Sequence, residues 1–325
     1  MTGKTMRKIL PTDDGKLVLA DVPRPELRDD EVEIKVSAIG VNYADVKIRF
    51  GYYSDKSRRT PEMGCEVSGV VSRTGRDAHR FAVGEKVFAV SHWGGGYADY
   101  VVVPEYTVFR LPVYLSFEQG AAFPVIAQTA YHLVHTVARI ERGETVLIHA
   151  AAGGVGTMLV QLCALQGASV IALSSRDTKL ERVKRLGATF TLNTSEPIVE
   201  RVQKLTHGEG VSAIFDGNGG AFFPHNLEML GLRGRVVLFG NTAGEIPPLN
   251  PYQLVYSSHQ LLGFSMRAIT ATPERYHAAY QWILQRLESG DVKIEIGHRL
   301  NLHDTEEAHR LLTSRESYGK IVLLT

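Results

Sequence analysis

Cysteine is scarce in this chain: two residues, Cys65 and Cys163, in 325. That excludes a disulfide framework and a cysteine-rich structural zinc loop, and it makes a reducing, cytoplasmic setting the expectation. An excess of one charge is missing too. Lys and Arg number 36 against 35 Asp and Glu, for a net charge of +1. Such a balance gives no bulk electrostatic reason to bind nucleic acid or an anionic membrane. No apolar run approaches the ~20 residues that span a bilayer, and the opening MTGKTMRKIL holds no signal-peptide core. Low-complexity tracts and short-period repeats are also lacking. The apolar share, 44%, is ordinary for a soluble protein. The length suits two domains better than one core.

What is present centres on Thr145–Ala168. Val146, Leu147 and Ile148 read as a buried parallel strand. A turn of small residues follows, Ala150 to Gly156, and then apolar residues at helical spacing: Val155, Met158, Leu159, Leu162 and Cys163. Strand, glycine turn and helix together form the setting in which backbone amides meet a dinucleotide pyrophosphate. Ala152, Gly153, Gly154, Val155 and Gly156 are the expected contacts. Ala151 stands where the first glycine of the fingerprint usually sits. The alternative is a packing turn with no ligand.

The second strand, Ala168–Leu173, leads to the residues that hold the ribose. An acid there favours NADH. Here stand Ser174, Ser175 and Arg176, with Lys179 one turn on and Asp177 as the only acid. Two hydroxyls and two cations suit a 2′-phosphate, so NADPH is expected. A solvated helix start is the plainer reading.

Residues 1–125 read as mostly β, with strands over 32–38, 66–73, 85–90 and 97–103, and a helix starting after Ser116. This pattern suggests a small barrel-like domain. A helix over Thr129–Arg139 leads into alternating strands and helices, a doubly wound parallel sheet. Its strands are expected at 145–149, 169–173, 189–192, 212–216, 235–240 and 260–264. The loops with Asn218 and with Phe239, Gly240 and Asn241 follow two of these strands, where ligands bind in such folds; they read equally as simple turns. An amphipathic helix over Pro273–Ser289, a helix over 304–312 and a strand over 320–324 are expected to fold back onto the first domain. The expected division is 1–125 with 268–325, and 126–267. The last strand, 260–264, reads as a sheet edge able to pair across a two-fold axis, so a homodimer is expected.

These residues resemble the zinc-independent quinone oxidoreductases of the medium-chain dehydrogenase/reductase superfamily, a zeta-crystallin-like family. The carriers are Gly40-Val41-Asn42-Tyr43-Ala44-Asp45 with Arg49 and Gly51-Tyr52-Tyr53; Gly64-Cys65-Glu66 with Gly69-Val70-Val71; Gly95-Gly96-Tyr97-Ala98; Thr129-Ala130-Tyr131; His149 to Gly156; and Gly319-Lys320. The resemblance implies a GroES-like barrel domain, a Rossmann domain and NADPH in a cleft between them. It implies that Asn42 offers an amide donor to the acceptor's carbonyl and that Tyr53, or its neighbour Tyr52, offers a hydroxyl. Thr129 is implied at the nicotinamide end, with a helix N-cap as its plainer role. Lys320 is implied near the cofactor, or is a solvated strand end. Zinc-using relatives carry ligands where this chain has Asn42, Cys65 and, nearby, Val125, so no metal is expected. His132 and His135 share a helix face without a third ligand. Thr194 stands where the family usually has a tyrosine, which removes one expected 2′-phosphate contact.

The resemblance therefore implies an NADPH-dependent quinone reductase. The alternatives are an enone or enoyl-thioester reductase, with Lys56, Arg58 and Arg59 as an entry patch for phosphate, and a nucleotide-binding structural or RNA-binding protein with weak turnover. The near-neutral charge argues against RNA.

Overall fold

The computed structural model describes residues 5–52, 62–269 and 273–325. They form two compact units, Met1–Val125 with Ile294–Thr325, and Ile126–Lys293.

The first unit begins with an antiparallel ribbon, β1 (Thr5–Pro11) and β2 (Leu17–Pro23). Then come β3 (Glu31–Val41), α1 (Tyr43–Arg49), β4 (Glu66–Thr74), β5 (Lys86–Val90), β6 (Tyr100–Pro104), β7 (Val108–Arg110), α2 (Phe117–Ala122) and the start of α3 (Pro124–Tyr131). Strand β3 is the axis. It pairs antiparallel with β4 and with β6, and its register slips at Glu33/Ile34 and Val36/Ala38. Such slips bend a strand and let it serve more than one partner. Its β-branched side chains Val32, Ile34 and Val36 meet Val67, Val87 and Val103 in the core, as β-branched residues pack on a pleated surface. Helix α2 starts where expected: Ser116 Oγ accepts the Gln119 amide at 3.2 Å and Gln119 Oε1 accepts the Ser116 amide at 3.0 Å, a reciprocal capping box.

The second unit holds β8 (Thr145–Ile148), α4 (Gly154–Leu165), β9 (Ser169–Ser174), α5 (Asp177–Arg185), β10 (Phe190–Asn193), α6 (Ile198–Leu205), β11 (Val211–Asp216), α7 (Asn226–Met229), β12 (Leu230–Leu238), β13 (Gln260–Gly263), α8 (Met266–Ile269) and α9 (Pro273–Ser289). Its six strands lie in the order β10-β9-β8-β11-β12-β13, and every pairing is parallel. This is the doubly wound order, with the switch point between β8 and β11. The strand bounds agree with the apolar runs in the sequence to within a few residues, because strands buried on both faces carry continuous apolar side chains.

The chain returns to the first unit with β14 (Ile296–Asn301), α10 (Thr305–Thr313) and β15 (Lys320–Leu324). Strand β15 pairs antiparallel with β3 and parallel with β14.

Two expectations need correction. The return to the first unit falls at Ile294, not at 268. Helix α9 belongs to the second unit: its buried face carries Tyr276, Ala279, Tyr280 and Ile283, and Gln128 Nε2 of α3 donates to the Tyr276 carbonyl at 2.7 Å. An amphipathic pattern shows that one face is covered but not by which domain. The helix expected over Thr129–Arg139 begins at Pro124 and changes after Tyr131 into a π-helical segment, His132–Ala138. Arg139, at φ 53°, ends it. Thr129 is thus inside a helix and buried, not at an N-cap.

Candidate functional site

In the second unit the glycine turn sits at the carboxyl end of β8. Ala150 takes a positive φ of 48°, and the Gly153 amide turns back to its carbonyl at 2.9 Å. Ala151, the missing first glycine, is fully buried and donates its amide to the Leu173 carbonyl at 2.9 Å. The sharp bend therefore falls one residue earlier than the fingerprint suggests. Gly153 caps α4 without a side chain. The amides of Gly154, Val155 and Gly156 open the helix, where a helix offers its own backbone no acceptor. A Cβ added at Gly156 would press into the Ala150 carbonyl and lie 2.6 Å from Ala151 Cα. One added at Gly153 would meet only the Ala150 oxygen, at 3.4 Å. Gly156 therefore serves close packing, and Gly153 leaves room above the turn. These residues fit a pyrophosphate at the α4 N-terminus.

Ser174 ends β9 and is buried, while Ser175 and Arg176 are exposed at the start of α5. Lys179 lies one turn on, 9% exposed. Asp177 Oδ1 accepts Asn193 Nδ2 at 2.7 Å, so the one acid of this stretch is engaged in tying α5 to β10.

The loops after β11 and β12 are brought together. Thr242 Oγ1 donates to Asn218 Oδ1 at 3.2 Å, and the Ala243 amide to the Asn218 carbonyl at 2.8 Å. The Phe239 ring packs against Gly217, and Gly240 lies against the Gly217 carbonyl. Asn241 follows in the same turn, its carbonyl accepting the Gly244 amide. Beneath them lies a buried network that sequence reasoning missed. Asp216 Oδ1 accepts the amides of Asn218 and Gly219 at 2.7 and 3.0 Å. Its Oδ2 accepts Asn226 Nδ2 at 2.8 Å, and Asn226 Oδ1 meets His149 Nε2 at 2.8 Å. Asp216 heads the Asp-Gly-Asn-Gly turn, and an acid followed by turn residues is the signal that would have found it.

The first unit holds a second group, built around Glu66 of β4. Glu66 is fully buried. Its Oε1 accepts Lys320 Nζ at 2.5 Å and Asn42 Nδ2 at 2.7 Å; its Oε2 accepts the Val125 amide at 2.8 Å. Lys320 Nζ also donates to Asn42 Oδ1 and to the Val41 carbonyl, both at 2.8 Å. Here the expectation for Lys320 is corrected. An ammonium has three donors, and all three are engaged inside the first unit on a side chain that is 3% exposed. It is not a solvated strand end, and its donors point into the first unit.

Around this group stand Cys65, Asp45, Tyr97 and His309. Cys65 Sγ lies 3.4 Å from Asn42 Nδ2. Burial, with the charges of Asp45 and Glu66, pushes its thiol well above the usual range, so it stays protonated and unreactive. Asp45 accepts the amides of Gly64 and Asn42, each at 2.8 Å. Tyr97 Oη donates to Asp45 Oδ2 at 3.2 Å and lies 3.2 Å from His309 Nε2. Burial pushes Asp45 up to about 6 and His309 down to about 4. Tyr52 is 76% exposed at the end of α1. Tyr53 lies outside the described residues, as do Lys56, Arg58 and Arg59.

The three positions weighed for zinc, Asn42, Cys65 and Val125, do converge here, all beside Glu66. Their chemistry does not fit the metal. They supply an amide, a thiol held protonated and a backbone N–H donor, and an ammonium fills the middle. A zinc site needs three electron-pair donors and repels a neighbouring cation.

Comparison with known proteins agrees with both units. Residues 28–113 match the alcohol dehydrogenase GroES-like domain, and residues 154–285 match the zinc-binding dehydrogenase domain. The human quinone oxidoreductase is 31% identical over 308 residues, covering 94% of this chain and 92% of its own. A mycobacterial protein solved with NADPH is 32% identical, with a TM-score of 0.92 over 98% of this chain and 100% of its own. The Escherichia coli quinone oxidoreductase solved with NADPH is 27% identical, with a TM-score of 0.91 over 99% of each chain. A dinucleotide-type glycine turn, a GroES-like unit and whole-length likeness to these enzymes lead to one conclusion: the chain belongs to the quinone oxidoreductase family of the medium-chain dehydrogenase/reductase superfamily.

Proposed function

We propose that this protein is an NADPH-dependent reductase of quinones that works without a metal. The carrying observation is the Asn42–Glu66–Lys320 group, where an amide stands at a metal-ligand position and an ammonium fills the middle. Alcohol oxidation needs help to ionise a hydroxyl, which a Lewis acid supplies. A quinone is already electrophilic. It needs only position and a donor at the oxygen that gains charge.

NADPH, when bound, supplies the reducing electrons. The amides of Gly154, Val155 and Gly156, with Ala152 and Gly153, hold its pyrophosphate. Ser174, Ser175, Arg176 and Lys179 hold its 2′-phosphate. Thr129 and the loops of Asn218 and Phe239 to Asn241 orient the rest. Asn42 donates to the acceptor carbonyl, and Tyr53 or Tyr52 offers it a hydroxyl. The chain's two cysteines are free thiols, which suits a reducing cytoplasm. Among the described residues no helix is long and apolar enough to cross a membrane.

The test is loss of NADPH absorbance, with NADH alongside, against an ortho-quinone, a para-quinone, a conjugated enone and an enoyl-CoA. NADPH with a quinone is the preferred pair. Asn42→Ala lowers kcat/KM for it by about 100-fold, the scale of one donor to a developing oxyanion, with NADPH affinity unchanged. Preference for the enone or the thioester, or no turnover with any acceptor, would sink the reading.

The edge of the second unit supports a homodimer. Strand β13 ends the parallel sheet. Leu261 on it is 43% exposed, and Tyr252, Val255 and Tyr256 just before it are 64%, 60% and 87% exposed. An edge with no partner strand among the described residues, beside exposed apolar side chains, is suited to a second copy. Light scattering is expected to give twice the chain mass, and Tyr256→Glu with Leu261→Glu to halve it. A monomer mass for the unaltered protein rejects this.

A further inference from the structure

We infer that the buried Lys320–Glu66 pair is a positioning device for the Asn42 amide, fixing which way round that amide stands. The inference rests on the reading of Asn42 as the acceptor's hydrogen-bond donor. The chemistry of the two partners leaves one orientation. An ammonium only donates and a carboxylate only accepts. Oδ1 therefore faces Lys320 and Nδ2 faces Glu66, as the distances of 2.8 and 2.7 Å have it. Flipping the amide would set N–H against ammonium and oxygen against carboxylate. Hydroxyl partners on both sides, which donate and accept, would tolerate both orientations; the ion pair does not.

The surroundings are built for this pair. Its carboxylate is fully buried, and its ammonium 3% exposed. Gly40 on β3 makes room for it: a Cβ there would press into the Ala121 carbonyl and stand 2.5 Å from Glu66 Oε1. The pair also joins three segments distant in sequence, β3 with the start of α1, β4 and β15, so Asn42 is held on rigid elements. One Nδ2 hydrogen goes to Glu66. For the other, Nδ2 lies 3.4 Å from both the Gly40 carbonyl and Cys65 Sγ, a long bond to oxygen and a weak acceptor in sulfur. That hydrogen is the more loosely held of the two and the one an acceptor can take over. The cation on Oδ1 draws charge through the amide and strengthens it as a donor, as linked hydrogen bonds polarise one another.

The experiment compares the full chain with Lys320→Met/Glu66→Gln, with Asn42→Ala, and with the triple variant. Lys320→Met alone would leave a buried carboxylate unpaired and is prone to unfold; the double variant removes both charges. Two readouts are taken: steady-state kinetics with NADPH and a para-quinone, and ¹⁵N NMR of the Asn42 side-chain amide, assigned by its loss in Asn42→Ala. The double variant is expected to lose about 100-fold in kcat, as Asn42→Ala does, the scale of one donor to a developing oxyanion. NADPH affinity and quinone KM stay put, and adding Asn42→Ala costs nothing more, because the pair acts through that residue. In the unaltered protein the two Asn42 amide protons are widely separated and slow to exchange; in the double variant they collapse towards solvent-exposed values. A double variant with full kcat, a triple variant whose losses multiply, or an unchanged Asn42 spectrum overturns the inference. If the unaltered protein reduces no quinone, the functional reading fails by itself, and the spectrum still decides the positioning.

Discussion

Gly156→Ala is expected to abolish measurable NADPH binding and destabilise the second unit, while Gly153→Ala weakens binding about 10- to 100-fold with Tm unchanged. The two positions are three residues apart in one turn, yet their surroundings differ. A Cβ at Gly156 meets backbone, the Ala150 carbonyl and Ala151 Cα. Backbone cannot rotate away, so α4 must move off β8. Overpacking of this kind costs about 1–3 kcal/mol. The shift also carries off the three amides that open the helix. At Gly153 the added methyl meets only an oxygen at 3.4 Å, an ordinary contact, and φ of −81° suits alanine. The fold keeps it. In the proposed reading it fills the space meant for the pyrophosphate, since the second glycine of such turns lets backbone approach the phosphates. Fluorescence titration of NADPH with thermal melts separates the cases. Gly153→Ala with unaltered affinity would place the pyrophosphate elsewhere.

The nucleotide unit was the more legible half. Its strands are buried on both faces, so each shows as an unbroken apolar run, and the glycine turn marks the switch point. What escaped was what the turns conceal. Asp216 reads as a turn residue, but it orders the Asn218 loop and reaches His149 through Asn226. No local pattern ties residue 149 to 226. Helix α9 is legible as a helix but its domain is not, because amphipathicity names a covered face and not its cover. The π-helical turn at His132–Ala138 keeps an apolar rhythm close to that of an α-helix and is invisible at that level.

The first unit was legible in outline only. Its ribbon β1–β2 and strand β14 are half-exposed, which weakens the alternation that reveals a strand. The site was legible one residue at a time. Asn42 and Lys320 were both singled out, each for a contact with a ligand. The structure joins them to each other through Glu66, across 278 residues of sequence in the case of the Lys320–Asn42 bond. A buried ion pair needs both partners in view, and sequence offers only one at a time.

Asp45 and His309 are expected to hide one another's pH dependence, so removing either exposes a slope the unaltered protein lacks. Asp45 titrates at about 6 in the fold against an ordinary 3.8. His309 titrates at about 4 against an ordinary 6.5. Burial drives both shifts, and Tyr97 Oη lies 3.2 Å from each group. Between roughly pH 4 and 6 the folded protein holds a proton on Asp45 and none on His309, while the unfolded chain does the reverse. Proton counts match, so this pair contributes no slope. Asp45→Asn leaves His309 alone. Its stabilisation is present above 6.5 and is lost as pH falls towards 4. His309→Gln leaves Asp45, whose raised pKa contributes stability that is present below 3.8 and is lost as pH rises through 6. Each slope is about 1.4 kcal/mol per pH unit, positive for Asp45→Asn and negative for His309→Gln. Both variants lose absolute stability as well, since Asp45 also accepts the Gly64 and Asn42 amides; the slope relative to the unaltered protein is therefore the readout. Urea unfolding at several pH values in this window measures it, and other titrating groups cancel in the difference. If both variants follow the unaltered protein's pH dependence, the two groups titrate near their ordinary values and the compensation does not exist.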